Sequence, residues 1–178
     1  MRIISGIHKG RYITAPKKLP VRPTTDMAKE ALFNILNNRF YFDEIEVIDL
    51  FSGTGNISYE FASRGVPQIT AVDAHVGCVK FIDITSKQLG FNIKPFKSDV
   101  FPFLKRSPQK ADIIFADPPY DMHLSDFSNI SNLVFANKLL KKEGVLVIEH
   151  SKHTNLSEVQ YYTNERKYGG STFSFFDA

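Results

Sequence analysis

Asp117-Pro118-Pro119-Tyr120 is the stretch whose residue types point most directly to chemistry. Consecutive prolines stiffen the chain and remove two N–H donors, so the carbonyls that remain are acceptors. The Asp117 carboxylate and the Pro118 carbonyl then form an acceptor-only pocket. That suits an exocyclic amine, whose nitrogen presents two N–H donors. Holding both hydrogens turns the nitrogen lone pair toward an electrophile, and the carboxylate stabilises the positive charge that develops there. Tyr120 offers a flat face for a base, worth about 1–3 kcal/mol at known stacking sites. The bland reading is a stiff loop after a buried strand.

A second group lies upstream. Val47-Ile48-Asp49-Leu50-Phe51-Ser52-Gly53-Thr54-Gly55-Asn56 follows an apolar run and opens a helical pattern. Glycines there permit a tight turn and close approach of a ligand beside a helix N-terminus. Ser58 stands at the third glycine position of the dinucleotide fingerprint, and no Gly-Lys-Ser/Thr follows, so NAD and nucleoside-triphosphate binding both lose ground. Asp73 follows Asp49 by 24 residues, at the end of the next apolar run. An acid at that point can accept hydrogen bonds from ribose hydroxyls. Asp99, in Lys97-Ser98-Asp99-Val100, closes a third run, near where an adenine would lie. Each acid alone reads as a loop acid or a helix cap. All three in order, each after its own strand, favour a ligand.

These groups need a scaffold that brings strand ends together. Apolar runs at Glu46–Leu50, Ile69–Val72, Ile93–Phe96, Ile113–Ala116 and Val145–Ile148 alternate with amphipathic stretches near 56–64, 76–89, 100–106 and 125–141. That alternation implies a largely parallel sheet with helices on both faces. Val159–Thr163 and Ser171–Phe176 read as closing strands around Gly169-Gly170, an antiparallel hairpin at one edge. Upstream, Arg2–Gly6 and Gly10–Thr14 read as a β-hairpin around Ile7-His8-Lys9. Pro16, Pro20 and Pro23 keep the next stretch extended. A helix over roughly 25–38 follows, with Thr24 or Thr25 as N-cap. The natural boundary falls near 38–44, giving a basic appendage over 1–40 and an α/β body over 41–178.

Length and composition agree with one domain carrying a small appendage: 178 residues, 43% hydrophobic and 23% charged. A disordered chain, a collagen-like chain and a disulfide scaffold are excluded. No apolar run approaches a membrane span. Lys9, Arg11, Lys17 and Lys18 interrupt any leader-like stretch, so a cytoplasmic protein is expected. Cys78 is the single cysteine and reads as a core residue. His150 and His153 read as surface residues, and no metal site is expected. The net charge of +3 divides unevenly: residues 1–25 hold six bases and no acid, leaving −3 for the rest. Such asymmetry hints at nucleic-acid contact, although a solvated arm would look the same.

Asp-Leu-Phe-Ser-Gly-Thr-Gly, Ala-Val-Asp, Ser-Asp-Val and Asp-Pro-Pro-Tyr, in that order, resemble the motifs of S-adenosylmethionine-dependent amino-methyltransferases. The chain is most similar to the RsmD-type family, which methylates the N2 amine of a guanine in bacterial small-subunit ribosomal RNA. Met1–Gly6, Lys9-Gly10-Arg11, Arg22–Asp26 with Lys29–Leu36, Ser63-Arg64-Gly65, Gly144–Glu149 and Arg166–Gly169 extend the likeness nearly end to end. Asn56-Ile57 and Asp73 depart from the family pattern, which carries a small apolar pair and a glutamate there.

The resemblance implies a Rossmann-like methyltransferase fold with a mostly parallel seven-stranded sheet. It implies S-adenosylmethionine as cofactor, S-adenosylhomocysteine as product and no metal. Asp49, Phe51, Gly53 and Gly55 would border the methionine part, Asp73 and Ala74 the ribose, and Asp99 and Val100 the adenine. Thr24 would close over the cofactor, contact RNA or only cap its helix. Asp117, Pro118 and Tyr120 would carry catalysis. Arg2, Lys9, Arg11, Tyr12 and Arg22 would meet RNA, with a monomer acting on ribosomal RNA in an assembled or partly assembled small subunit. Glu149 reads either as structural or as lining the crevice. Two other readings stand beside this one. An adenine-N6 methyltransferase shares the Asp-Pro-Pro-Tyr chemistry, and an RNA-binding module could retain the fold without activity.

Overall fold

The computed structural model describes residues 1–19 and 24–177. Strands β1 (Glu46–Leu50), β2 (Gln68–Asp73), β3 (Ile93–Lys97), β4 (Ala111–Ala116), β5 (Leu140–Ser151), β6 (Tyr162–Tyr168) and β7 (Ser171–Phe176) form one seven-stranded sheet in the order β3-β2-β1-β4-β5-β7-β6. β1 to β5 run parallel, and β7 pairs antiparallel with both β5 and β6. The expected α/β architecture with an antiparallel edge is therefore present.

Alternate residues of the buried strands serve opposite faces, because successive side chains in a strand point opposite ways. Val47, Ile69, Ile113 and Val147 share a core with α1 (Asp26–Asn37), α2 (Asn56–Ser63) and α3 (Val76–Leu89). Ile48, Val72, Ile114 and Ile148 share the other with α4 (Val100–Arg106) and α5 (Leu124–Ala136). Phe33 of α1 meets Phe61 of α2 edge-on at 4.5 Å between ring centroids. Thr25 caps α1, its Oγ1 accepting from the Ala28 N–H at 3.3 Å, and Thr24 stays outside the helix.

The N-terminal segment packs on the first face, with Ile3 and Ile13 in the same core as α1. Its two arms pair as the expected hairpin over a short span: Arg2 and Tyr12 form an antiparallel bridge, and Ile3 N–H donates to Arg11 O at 2.9 Å, Gly10 N–H to Ile3 O at 2.8 Å and Ile13 N–H to Met1 O at 2.9 Å. The N–H groups of Ile4 and Ser5 turn to the Glu60 carboxylate at 2.8 and 3.1 Å. Ile7 N–H donates to the Ser63 carbonyl at 2.8 Å, satisfying an acceptor that the end of α2 would leave orphaned. Gly6 makes that contact possible: a Cβ there would lie 1.7 Å from Ser63 O.

Three expectations need correction. α5 ends at Ala136, short of 141: Asn137 caps it and donates from Nδ2 to Leu104 O, Lys138 takes a left-handed φ of 53°, and Leu140 already pairs with Ala111. β6 starts at Tyr162, so the expected strand at Val159–Thr163 is out of place. Leu156 and Val159 are instead buried anchors of the turn before it. His150 is fully buried inside β5, not on the surface. Its Nδ1 donates to Ser151 O, so Nε2 accepts from Ser174 Oγ, and burial lowers its pKa in keeping with a neutral ring.

Glu60 ties the first face together. It is fully buried, with Lys29 Nζ at 3.4 Å and Arg64 Nε at 2.8 Å from its carboxylate. Burial lowers the Lys29 pKa, and the Glu60 charge opposes that shift. Glu60→Ala would strand the Lys29 charge and two backbone donors. Removal of one partner of a buried ion pair costs about 3–5 kcal/mol. Urea unfolding at neutral pH is expected to show a loss of that size; a loss below about 1 kcal/mol would contradict this role.

Candidate active site

The chain runs outward from β1 to β3, then returns across β1 to lay down β4 on its other side. A crevice opens at the carboxyl ends of the strands beside such a reversal, which is where ligands bind in open α/β sheets. A cavity of about 390 Å³ occupies it. Its wall includes Asp49 from β1, Asp73 from β2, Asp117 after β4 and Glu149 from β5.

The glycine loop forms the floor. Phe51 takes a positive φ of 57°, uncommon for a residue with a side chain, and Gly53 and Gly55 follow at 53° and 84°. Gly55 precedes α2, and a Cβ there would press to 2.8 Å from the Tyr59 ring. Ser52 N–H donates to Val72 O at 3.0 Å, and Gly53 N–H donates to Asp73 Oδ2 at 2.8 Å. The other Asp73 oxygen accepts from His75 N–H at 2.8 Å. One carboxylate thus holds two loops in place, and each oxygen retains acceptor capacity toward the cavity.

Asp49 sits deeper, only 1% exposed, and accepts from Ser58 Oγ at 2.5 Å. Burial pushes its carboxyl up to about 7, against the stabilising Ser58 hydroxyl. A cationic ligand group on the cavity side would offset that burial. On the opposite wall, Asp117 N–H donates to Leu50 O at 3.3 Å, fixing the tetrad to the end of β1. Pro118, Pro119 and Tyr120 also line the cavity, with Tyr120 39% exposed at its mouth.

Among the expected cofactor residues, Asp49, Phe51, Gly53, Asp73, Ala74 and Thr24 line this cavity. Gly55 lies behind it, shaping the turn. Asp99 is exposed at the N-cap position of α4, and Val100 is buried in the core; both lie beyond the cavity wall at the carboxyl end of β3. Lys9, Arg11 and Tyr12 are exposed on the N-terminal turn, and Arg2 pairs with Asp26 at 3.0 Å. Arg22 lies outside the described residues.

The sequence left undecided what reaches the crevice from β5. Glu149 is 1% exposed, and its Oε2 accepts from Thr24 Oγ1 at 2.8 Å. Asn56 continues the chain of contacts: its Nδ2 donates to Thr24 O at 3.3 Å, and its Oδ1 accepts from Lys29 Nζ at 2.9 Å. No local pattern announces these links, because Thr24 and Glu149 lie 125 residues apart. Among the described residues, no group of three or more His, Cys, Asp or Glu side chains is arranged for a metal, and no helix is long and apolar enough to cross a membrane.

Residues 1–177 match the protein family described as conserved hypothetical protein 95. The chain belongs to this family, the RsmD family. It is 30% identical to the putative rRNA methyltransferase YlbH of Bacillus subtilis, over 89% of this chain and 86% of that protein. It is also 30% identical to ribosomal RNA small subunit methyltransferase D of Buchnera aphidicola, over 93% and 85% of the two chains. Among solved structures, the putative methyltransferase yhhF of Escherichia coli superposes with a TM-score of 0.84 at 26% identity, covering 99% of this chain and 96% of its own. As an RsmD-family member, the chain shares the Rossmann-like methyltransferase fold of these relatives.

Asp49 sets a pH dependence for the ligand-free protein. A carboxyl whose folded pKa is raised binds more protons folded than unfolded between the two values, so rising pH destabilises the fold. With the folded value about 7 against an ordinary 3.8, that loss accumulates from about pH 4 to pH 7 and levels off above. Asp49→Asn should therefore gain stability over the parent protein progressively across that window in thermal unfolding. A stability difference independent of pH would contradict it.

Proposed function

We propose that this chain transfers the methyl group of S-adenosylmethionine to the N2 amine of a guanine in small-subunit ribosomal RNA. The observation that carries the reading is that one cavity holds both the glycine loop with Asp73 and the Asp-Pro-Pro-Tyr tetrad. A cofactor half and an amine-binding half then face each other without intervening chain. The names of the relatives, methyltransferases of ribosomal RNA, support the same class.

The cofactor is S-adenosylmethionine. It supplies a methyl group on a cationic sulfonium and leaves as neutral S-adenosylhomocysteine. The residues present suit it. Asp73 keeps acceptor capacity for ribose hydroxyls, Gly53 allows close approach, and Asp49 offers a buried carboxylate to the ammonium of the methionine part. The protein's own work is alignment and desolvation, since the methyl is already electrophilic. Asp117 and the Pro118 carbonyl each accept one hydrogen of the target amine and aim its lone pair across the cavity. As the N–C bond forms, the Asp117 carboxylate stabilises the charge on N2 and stands at the atom from which the proton departs. Tyr120 stacks on the base at the mouth. The N-terminal turn carries Lys9, Arg11 and Tyr12, all exposed, as the surface that meets RNA backbone and bases. Its substrate is ribosomal RNA in an assembled or partly assembled small subunit, which supplies the shape that so small a surface reads.

Radiolabelled methyl transfer to DNA, free ribosomal RNA and unmethylated small subunits, followed by nucleoside analysis, tests the reading. N2-methylguanine is expected from the subunits, and Asp117→Ala should lower its formation roughly a hundredfold or more. N6-methyladenine, or unchanged turnover in Asp117→Ala, would overturn it.

A further inference from the structure

We propose that Glu149 reads the hydrogen-bonding edge of the target base, accepting N1–H of guanine while Asp117 and Pro118 hold the N2 amine. This deepens the guanine-N2 reading above and rests on it.

The acceptor pair at Asp117 cannot choose its base alone, since guanine and adenine both present an exocyclic –NH2. The ring nitrogen beside that amine offers a contact that discriminates. In guanine N1 carries a hydrogen; in adenine it is a bare acceptor. A carboxylate facing this nitrogen accepts from guanine and repels the adenine lone pair.

Glu149 stands where such a carboxylate is needed. Ala116, the last residue of β4, pairs with Ile148 of the parallel strand β5, so Asp117 and Glu149 each follow one residue beyond that pair. Neighbouring strands lie about 4.8 Å apart, comparable with the reach across one edge of a base. Both residues line the one cavity. Glu149 is 1% exposed, and burial of a carboxylate is costly unless polar partners compensate. Thr24 Oγ1 donates to its Oε2 at 2.8 Å and so fixes the plane of the carboxylate. A carboxylate has about four lone-pair sites and so can accept a ligand N–H alongside its protein partners. Asn56 and Lys29 hold Thr24 in turn, through 3.3 and 2.9 Å hydrogen bonds. Thr24 is therefore a positioning residue and Glu149 the specificity residue.

The test replaces the methylated guanosine, once nucleoside analysis has located it, by 2-aminopurine ribonucleoside in reconstituted small subunits. That base keeps the N2 amine and has no hydrogen on N1. The parent protein should methylate it about tenfold more slowly than guanine, or slower still. Glu149→Gln should slow the guanine reaction and narrow that ratio, since a carboxamide can donate to a bare N1. Thr24→Val should narrow it in the same direction by less, which keeps the test available if the first variant folds poorly. S-adenosylmethionine affinity of Glu149→Gln should match the parent by calorimetry. Equal parent rates on the two bases, a ratio unmoved by Glu149→Gln, or a loss of cofactor affinity in it would each overturn the assignment. Guanine-containing subunits that yield no N2-methylguanine would instead defeat the reaction itself, and the role of Glu149 with it.

Discussion

The buried carboxylate of Glu60 is the constraint on which the site depends. It lies on α2, the helix that begins where the glycine loop ends. A charge so placed is tolerable only with close partners, and it draws them from the N-terminal segment, α1 and the end of α2. The amides of Ile4 and Ser5, the guanidinium of Arg64 and the ammonium of Lys29 all converge on it. The N-terminal segment is thereby fastened to the same helix that shapes the cofactor floor. Lys29 carries the connection onward through Asn56 to Thr24, and Thr24 reaches Glu149 at the far wall. A run of polar contacts therefore joins the N-terminal segment, the helix that follows the glycine loop and Glu149 at the crevice wall.

The crevice separates its negative charges by purpose. Asp49 and Asp73 stand on the two strands that flank the glycine loop, where a cofactor with a sulfonium and an ammonium would need them. Asp117, just after β4, and Glu149, on β5, stand where the proposed target base would present its donors. The cost of this concentration is visible at Asp49, whose carboxyl is pushed up to about 7 by burial. Among the described residues, Lys9 and Arg11 lie exposed on the N-terminal turn. The modest net charge of +3 hides this division, because the arm and the body carry opposite signs.

Much of this was legible in the sequence wherever the signal was local. The alternation of apolar runs and amphipathic stretches located β1 to β4 and α1 to α4, since each is encoded by its own neighbours. The glycine loop and Asp117–Tyr120 are continuous strings whose chemistry can be read in place. Long-range pairings were not legible. Glu149 had no readable role because its partner Thr24 lies 125 residues away. Lys29 and Glu60 look like surface charges on amphipathic helices, yet they meet in the core. His150 looks exposed because polar residues usually are, whereas β5 is covered on both faces. The hairpin at the N-terminus is present as expected, but its docking on Glu60, a distant acceptor, has no local signal. α5 stops short of its apparent span because Leu139 and Leu140 continue a helical spacing after Asn137 has ended the helix.

The proposed function divides one crevice between cofactor and base. A calorimetric titration of S-adenosylmethionine against the parent protein, Asp73→Asn and Asp117→Ala measures it directly. Asp73→Asn is expected to lose about tenfold or more in affinity, and Asp117→Ala to bind within about twofold of the parent, following the usual weight of a charge-assisted hydrogen bond. Equal loss in both variants, or no binding by the parent protein at millimolar cofactor, would contradict it.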